Sequence, residues 1–372
     1  MNKETVEMLK RLTDVSGVPG YESEISEAIR KELSDSVSTR TQPKARRSEL
    51  SDSVTFSYDK LGSIICEKKG SSASPKIMIP GHMDEVGFMV TRITEEGYIK
   101  FTMLGGWLPQ YMPAHRVIIK TAKGDVPGII GAKPIHLMSE EERKKSIDKK
   151  DLFIDIGVND NEDAARIGVR PGDPIIPVAA FTKMANPDYL LAKAWDDRIG
   201  CALFIDVIKA LKGKKHPNTI YGVGTVQEEV GTRGAHTAVR KINPDVALVC
   251  DVGIAQDVPG GEKGVGVLGK GPQITIYDRG MIPNLALRDL IINTAEQNRI
   301  PYQIQSLEGG GTDGGPIHIN AQGVPCIYLG VPTRYIHCHS GIIHKADYDN
   351  AVRLITAVVL KLDAKIVGKF TK

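Results

Sequence analysis

The sequence predicts an α/β protein, a mixed, mostly parallel sheet sandwiched by helices, with a small β-barrel or sandwich domain inserted into it. Three observations predict this. Apolar, β-rich runs alternate with helix-periodic segments toward both ends of the chain, the rhythm of a parallel sheet covered on both faces. Between Val86 and about Phe181 the rhythm gives way to short strands separated by turns such as Glu95-Glu-Gly97 and Arg170-Pro-Gly-Asp173, the texture of a small closed β unit. And 372 residues are long for one compact core. The expected organisation is one α/β domain in two parts, 1–87 and 187–372, with an inserted β domain at 88–186 between them.

The elements follow in order. Val6, Leu9, Leu12 and Val15 recur at helical spacing. After the Ser16-Gly-Val-Pro-Gly turn, Ser23 is a candidate N-cap for a helix to about Leu33, with Glu24 facing the positive end of its dipole. Then Glu32-Leu-Ser-Asp-Ser-Val37 recurs letter for letter at Glu49–Val54. One match of six residues is no repeat architecture. It reads as a local duplication that makes Ser34–Ser57 a solvated excursion. Leu61–Glu67 and Lys76–Pro80 are the first strands. Gly87–Ile93, Tyr98–Met103, Arg116–Thr121, Gly128–Gly131, Leu152–Ile156 and Asp173–Val178 are the strands of the inserted unit. A strand at Leu190–Ala192 and a helix at Asp196–Leu211 resume the α/β pattern. Strands at Thr219–Val226, Val246–Cys250 and Pro325–Gly330 follow, with helices at Thr232–Lys241, Ile282–Gln297 and Ala346–Ile366, the last with Val352, Ile355, Val358, Val359 and Leu362 on one face.

Composition narrows the function. Charged residues are 25% and the net charge is +3, with no basic run interleaved with aromatics, so nucleic-acid binding is not indicated. No stretch approaches the ~20 apolar residues of a membrane span. No apolar signal core opens the chain, which sets a cytoplasmic expectation. Five scattered cysteines (Cys66, Cys201, Cys250, Cys326, Cys338) form no Cys-x-x-Cys pair. That argues against a disulfide framework or a thiolate zinc site.

Chemistry concentrates where predicted strands end. Five segments carry metal-binding residue types: Gly81-His82-Met-Asp84, Trp195-Asp196-Asp197-Arg, Gln227-Glu228-Glu229-Val, Cys250-Asp251-Val and Tyr335-Ile-His337-Cys-His339. Each has an ordinary reading alone. Asp196-Asp197 suits a helix cap, Glu228-Glu229 a solvated turn, and Gly81–Asp84 a polar strand end. Together the histidines and carboxylates suit Zn, Co or Mn and lack the soft sulfur that would suggest copper or iron–sulfur. A two-metal site needs a bridging ligand, for which Asp196 is a candidate. It also needs a carboxylate that stays off the metal and takes a proton. Adjacent residues on extended chain point different ways, so Glu228 and Glu229 can divide those tasks. Gly309-Gly-Gly-Thr312-Asp313-Gly-Gly315 lacks the Lys of a phosphate-binding loop, so nucleotide binding is not indicated.

With these segments in view, the chain resembles the tetrahedral or glutamyl aminopeptidase family of co-catalytic metallo-aminopeptidases, some of whose members carry the name endoglucanase. Ser16-Gly-Val-Pro-Gly, Gly-His-x-Asp-Glu-Val-Gly, Asp-Asp-Arg-Ile-Gly, Gln-Glu-Glu-Val-Gly-x-Arg-Gly, Asp-Val-Gly, Gly-Gly-Gly-Thr-Asp-Gly and Thr-Arg-Tyr-Ile-His carry the resemblance over nearly the whole chain. It implies a zinc-exopeptidase-like fold. It also implies two divalent metals, Zn or Co with Mn as a further option, held by His82, Asp196, Glu229, Asp251 and His337, with Asp196 bridging. Glu228 is then the general base acting with a hydroxide shared by the metals, and Asp84 stands behind His82. Short peptides are the implied substrates. The implied assembly is a homo-oligomer whose dimers form through the inserted domain, up to a dodecamer. Thr312 and Asp313 would line the substrate pocket. The chain departs from the pattern at His337-Cys338-His339, where His339 competes with His337 as ligand and the Tyr-Ile-His register favours His337. The alternatives are a glycoside hydrolase, which needs two carboxylates and no metal, and a non-catalytic assembly protein of the same fold.

Overall fold

A computed structural model describes residues 1–38 and 53–371. Four strands form the parallel centre of a large sheet, in the order Thr219–Thr225, Lys76–His82, Val246–Ile254, Cys326–Arg334. Their pleat separates two cores. Ile77, Ile79 and Leu248 face one layer, where they meet the helices Lys3–Asp14, Trp195–Ala210 and Lys345–Val359; Met78, Ala247 and Val249 face the other, against Arg233–Ile242. Alternation with period two on strands buried on both sides is what a doubly covered sheet requires. Antiparallel strands finish both edges: Ile64–Lys68 and Thr55–Tyr58 on one, Gly341–His344, Tyr189–Ala192 and Thr182–Lys183 on the other.

Because the central strands are parallel, their C-terminal ends share one edge of the sheet. Thr225 pairs with His82 there, and Asp251 with Gly330. Crevices outside such ends are where open α/β sheets build sites. The second unit is a closed barrel of six strands between Gly87 and Pro177, filled by Phe88, Val90, Ile99, Val117, Ile119, Ile130, Ile154 and Ile175. It joins the sheet directly after the Lys76–His82 strand.

Several elements differ from the sequence reading. The second helix runs Ser23–Ser38 rather than ending near Leu33, since no Gly or Pro stops it. Thr55–Tyr58, inside the expected excursion, is an edge strand; residues 39–52, with most of the second Glu-Leu-Ser-Asp-Ser-Val copy, lie outside the described residues. The expected closing helix is two, Lys345–Val359 and Ala364–Val367, because the Asp363 carboxylate accepts the Ile366 N–H at 2.7 Å and caps a new start. The helix Asn161–Ile167 and the strands Gln273–Tyr277, Gln303–Ser306 and Gly341–His344 were not expected; they are short, and Gln303–Ser306 has polar residues at three of its four positions.

Arg198 ties the N-terminal segment to the site. It is fully buried. Its guanidinium donates to the carbonyls of Met83 at 2.7 Å, Leu12 at 2.6 Å, Val15 at 2.9 Å and Gly17 at 3.2 Å, and lies 3.3 Å from Glu85, whose carboxylate also holds Lys193 at 2.5 Å. Replacing it would take a donor from four carbonyls, of which those of Val15 and Gly17 keep another, and leave the Glu85 carboxylate with Lys193. Arg198→Met is expected to cost about 3–5 kcal/mol, read as a lowered denaturant midpoint; an unchanged midpoint would sink this account.

Candidate metal centre

Each segment reaches the crevice by its own device. The Lys76–His82 strand delivers His82 at its end, 2% exposed. The Trp195–Ala210 helix opens with non-helical backbone at Asp196 and Asp197, joined by a cis peptide. That break divides the two aspartates. Asp197 caps the helix, one oxygen taking the Gly200 N–H at 2.8 Å and the other the His82 N–H at 3.0 Å. Asp196 turns outward between two imidazoles. Its Oδ1 lies 2.9 Å from His82 Nε2 and its Oδ2 3.3 Å from His337 Nε2. Glu229 Oε2 is 3.4 Å from His337 Nε2. His82, Asp197 and Asp251 present ligand atoms within 4.8 Å of one another, as do His82, Asp196 and Glu229.

The five expected metal residues therefore converge. Both histidines have their tautomer set from behind. His82 Nδ1 donates to the Asp84 carbonyl at 2.9 Å, and His337 Nδ1 to the Gly106 carbonyl at 3.0 Å, which leaves each Nε2 facing the carboxylates. Gly106 comes from the barrel segment. A Cβ there would stand 2.8 Å from His337 Nδ1, so the approach needs glycine. His337 itself sits at φ +57°, a strained setting for a non-glycine residue.

Asp84 does more than expected. It stands behind His82, its carboxylate 3.6 Å from the imidazole Nδ1, and that fully buried carboxylate also serves the Glu228-Glu229 loop, taking the Glu228 and Glu229 N–H groups at 3.0 Å each. Glu22, which the sequence reading passed over, completes the grip: its Oε1 accepts the N–H of Gln227 at 3.0 Å and of Gly20 at 2.8 Å. Two carboxylates thus fix three consecutive amides. The acidic residue after Pro-Gly-Tyr21 was the available signal, but Glu22 lies 205 positions from its partner. Asp313 also departs. Thr312 lines the crevice, whereas Asp313 accepts the Thr225 hydroxyl at 2.5 Å from behind it.

His339 is placed elsewhere. It is 3% exposed, stacks on His115 with ring centroids 3.7 Å apart and meets the Trp107 ring edge-on. Burial, then the neighbouring His115, push its pKa down to about 3. It belongs to neither ligand cluster among the described residues. Cys338 is half-buried, and burial pushes its thiol up.

The electrostatics call for a cation. Burial, then Asp196, raise the Glu229 and Asp251 carboxyls to about 8 each. Burial also raises Glu228 well above its ordinary value, with His82 opposing and Asp313 adding to the shift. His337 rises to about 9 because Asp196 and Glu229 outweigh its own desolvation. Glu229 Oε1 is buried without a hydrogen-bond partner among the described residues. Carboxylates crowded this closely, with two imidazole Nε2 atoms turned toward them, fit divalent metals of nitrogen- and oxygen-ligand preference. Beyond them opens a cleft of about 1000 Å³.

Comparison with known proteins points the same way. The model of the M42 glutamyl aminopeptidase family matches residues 62–354, and an AMPT model residues 3–27. The glutamyl aminopeptidase of Lactococcus lactis is 32% identical over 98% of this chain and 99% of its own, and the lysyl aminopeptidase of Pyrococcus furiosus 32% over 96% and 97%. The TET aminopeptidase of a marine sediment Thaumarchaeota archaeon is similar at 41% identity and a TM-score of 0.92, covering 99% of this chain and 100% of that one. The Pyrococcus horikoshii TET1 peptidase, which can assemble into a tetrahedron or a large octahedral shell, is similar at 32% identity and a TM-score of 0.83 over 96% and 100%.

Proposed function

From the premise that the chain belongs to the M42 glutamyl aminopeptidase family and is a peptide hydrolase, we propose that it removes N-terminal residues from short peptides at a pair of divalent metals held by His82, Asp196, Glu229, Asp251 and His337. The observation that carries this is the Asp196 carboxylate, with one oxygen toward His82 and the other toward His337. A carboxylate so placed suits the space between two ions. Bound there, Zn, Co or Mn would supply Lewis acidity and make water nucleophilic near neutral pH.

The chain's own residues do the rest. Asp196, His82 and His337 orient one another through the contacts above. Glu228, buried beside His82 at 3.9 Å, accepts a proton from the attacking water and returns it to the leaving amine. Asp84 and Glu22 hold the backbone of Gln227–Glu229, so that the base and its neighbouring ligand keep their division of labour. Glycoside hydrolysis is not favoured: it asks for two carboxylates flanking a sugar, whereas here they are interleaved with histidines whose Nε2 atoms face inward.

Assembly through the inserted barrel belongs to the same proposal. Tyr111 at 58%, Ile135 at 60% and Leu137 at 68% exposure give it an apolar outer surface, which supports subunit contact there. No helix among the described residues is long and apolar enough to cross a membrane; a cytoplasmic location remains part of the proposal. The test is turnover of aminoacyl chromogenic amides, abolished by a chelator and restored by Zn or Co, on a preparation whose mass by light scattering exceeds the 40.5 kDa of one chain. Chelator-insensitive turnover, or hydrolysis of soluble cellulose in place of the amides, would overturn it.

A further inference from the structure

Aminopeptidases differ chiefly in which N-terminal side chain they accept, and the similar proteins named above include one called glutamyl and one called lysyl. The walls of this cleft carry information on that choice. Every carboxylate lining it belongs to the cluster around Asp196, and no Lys or Arg lines it among the described residues. Away from the cluster the wall includes Ile254, Leu307, Ile319, Tyr335 and Ile336 beside uncharged threonines and glycines, with His236 the one further imidazole. Ile254, Ile319 and Tyr335 are 44%, 66% and 53% exposed, so apolar surface stands open to an incoming side chain.

Three nearby cations are engaged elsewhere, while Arg279 stands exposed beside the lining Gly280. Arg334, next to Tyr335, holds Asp257 through two hydrogen bonds of 2.9 and 2.6 Å. Arg233 donates to the Gln227 side chain at 3.1 Å, and Lys193 is held by Glu85. A glutamyl side chain entering this cleft would lose water and meet no Lys or Arg among its lining residues. A lysyl ammonium would meet only the carboxylates that the proposed reaction already uses for metals and proton transfer. Desolvation without a partner is penalised, whereas an aliphatic side chain gains by covering exposed apolar surface.

On the reading that this is the aminopeptidase site, we infer that the cleft selects peptides with an uncharged, apolar N-terminal side chain, and that Ile254 forms part of the selecting wall. The metal-loaded full chain is tested with leucyl, methionyl, glutamyl and lysyl chromogenic amides at matched concentration. The kcat/KM for the leucyl and methionyl substrates is expected to exceed that for glutamyl and lysyl by at least tenfold. Titration calorimetry with free leucine, glutamate and lysine, which needs no turnover, is expected to give at least tenfold tighter binding of leucine. Ile254→Arg is expected to raise the glutamyl-to-leucyl ratio at least tenfold. A charged substrate preferred by the wild-type chain, or equal handling of all four, overturns the inference while leaving the aminopeptidase reading standing. An unchanged ratio in Ile254→Arg overturns the assignment of that wall. Turnover of none of the four by the metal-loaded protein overturns the aminopeptidase reading, and the inference with it.

Discussion

Glu228→Gln is expected to keep its metal and lose kcat by about 10²–10⁴-fold. Glutamine has the same shape and length, so the loop held by Asp84 and Glu22 through three backbone N–H groups has no reason to move. Glu228 belongs to neither group of converging ligands, one made of His82, Asp196 and Glu229 and the other of His82, Asp197 and Asp251. What the amide cannot do is take up a proton and give it back. In the wild-type chain, burial pushes the Glu228 carboxyl well above its ordinary value. A carboxylate that binds a proton this readily is a better base than a solvated one. The measurement pairs kcat on an aminoacyl chromogenic amide with metal content by atomic emission, alongside Glu229→Gln as a contrast. Glu229→Gln is expected to lose metal as well as rate. A Glu228→Gln enzyme within tenfold of wild type, or one stripped of metal, would remove Glu228 from the base role.

How far the sequence alone reached follows from which interactions are local. The strands that deliver the ligands, Lys76–His82, Thr219–Thr225 and Val246–Ile254, are long apolar runs that end at chemistry-bearing residues, and a run with such an end is visible one residue at a time. The barrel strand Arg116–Thr121 is legible for the same reason, being bounded by turn residues. What escaped was set by pairing across the chain. Gln303–Ser306 is a strand because Gln273–Tyr277 lies beside it, not because of its own pattern. Glu22 and Arg198 look like surface residues in the sequence; both are buried, and their partners are backbone groups on distant segments. Asp84 was legible in part: its carboxylate lies 3.6 Å from the imidazole of its sequence neighbour His82, but it also holds a loop 144 residues away. The Asp196-Asp197 pair had two readings, cap or ligand. The chain uses both, one aspartate each, because the backbone break at the helix start turns them apart.

Metal removal is expected to leave a protein whose stability falls as pH rises, and the gain on adding metal should grow with pH. The sign follows from the directions of the shifts. Glu229 and Asp251, ordinarily near 4.5 and 3.8, are raised to about 8, and Asp313 to about 6. Each binds a proton in the folded chain at pH values where the unfolded chain has released it. Their contribution is therefore complete below about pH 4 and is lost as pH rises through 6 to 8. His337, raised to about 9, acts in the same direction between its ordinary 6.5 and 9. Asp196 is lowered, since both histidines outweigh its burial, and its contribution is lost only on acidification below the ordinary carboxylate range. From pH 6 to 9 the metal-free cluster thus accumulates uncompensated negative charge, a cost on the order of several kcal/mol. A divalent ion supplies the missing charge and favours the deprotonated ligands, so its stabilisation is greatest where the metal-free chain is weakest. Denaturation midpoints at pH 6, 7.5 and 9, with chelator and with Zn or Co, read the difference between the two forms. Titrations elsewhere in the chain are common to both forms and cancel. A metal-induced gain that stays constant across that range, or shrinks toward pH 9, would show that the buried carboxylates are neutralised from within the protein and do not wait for a cation.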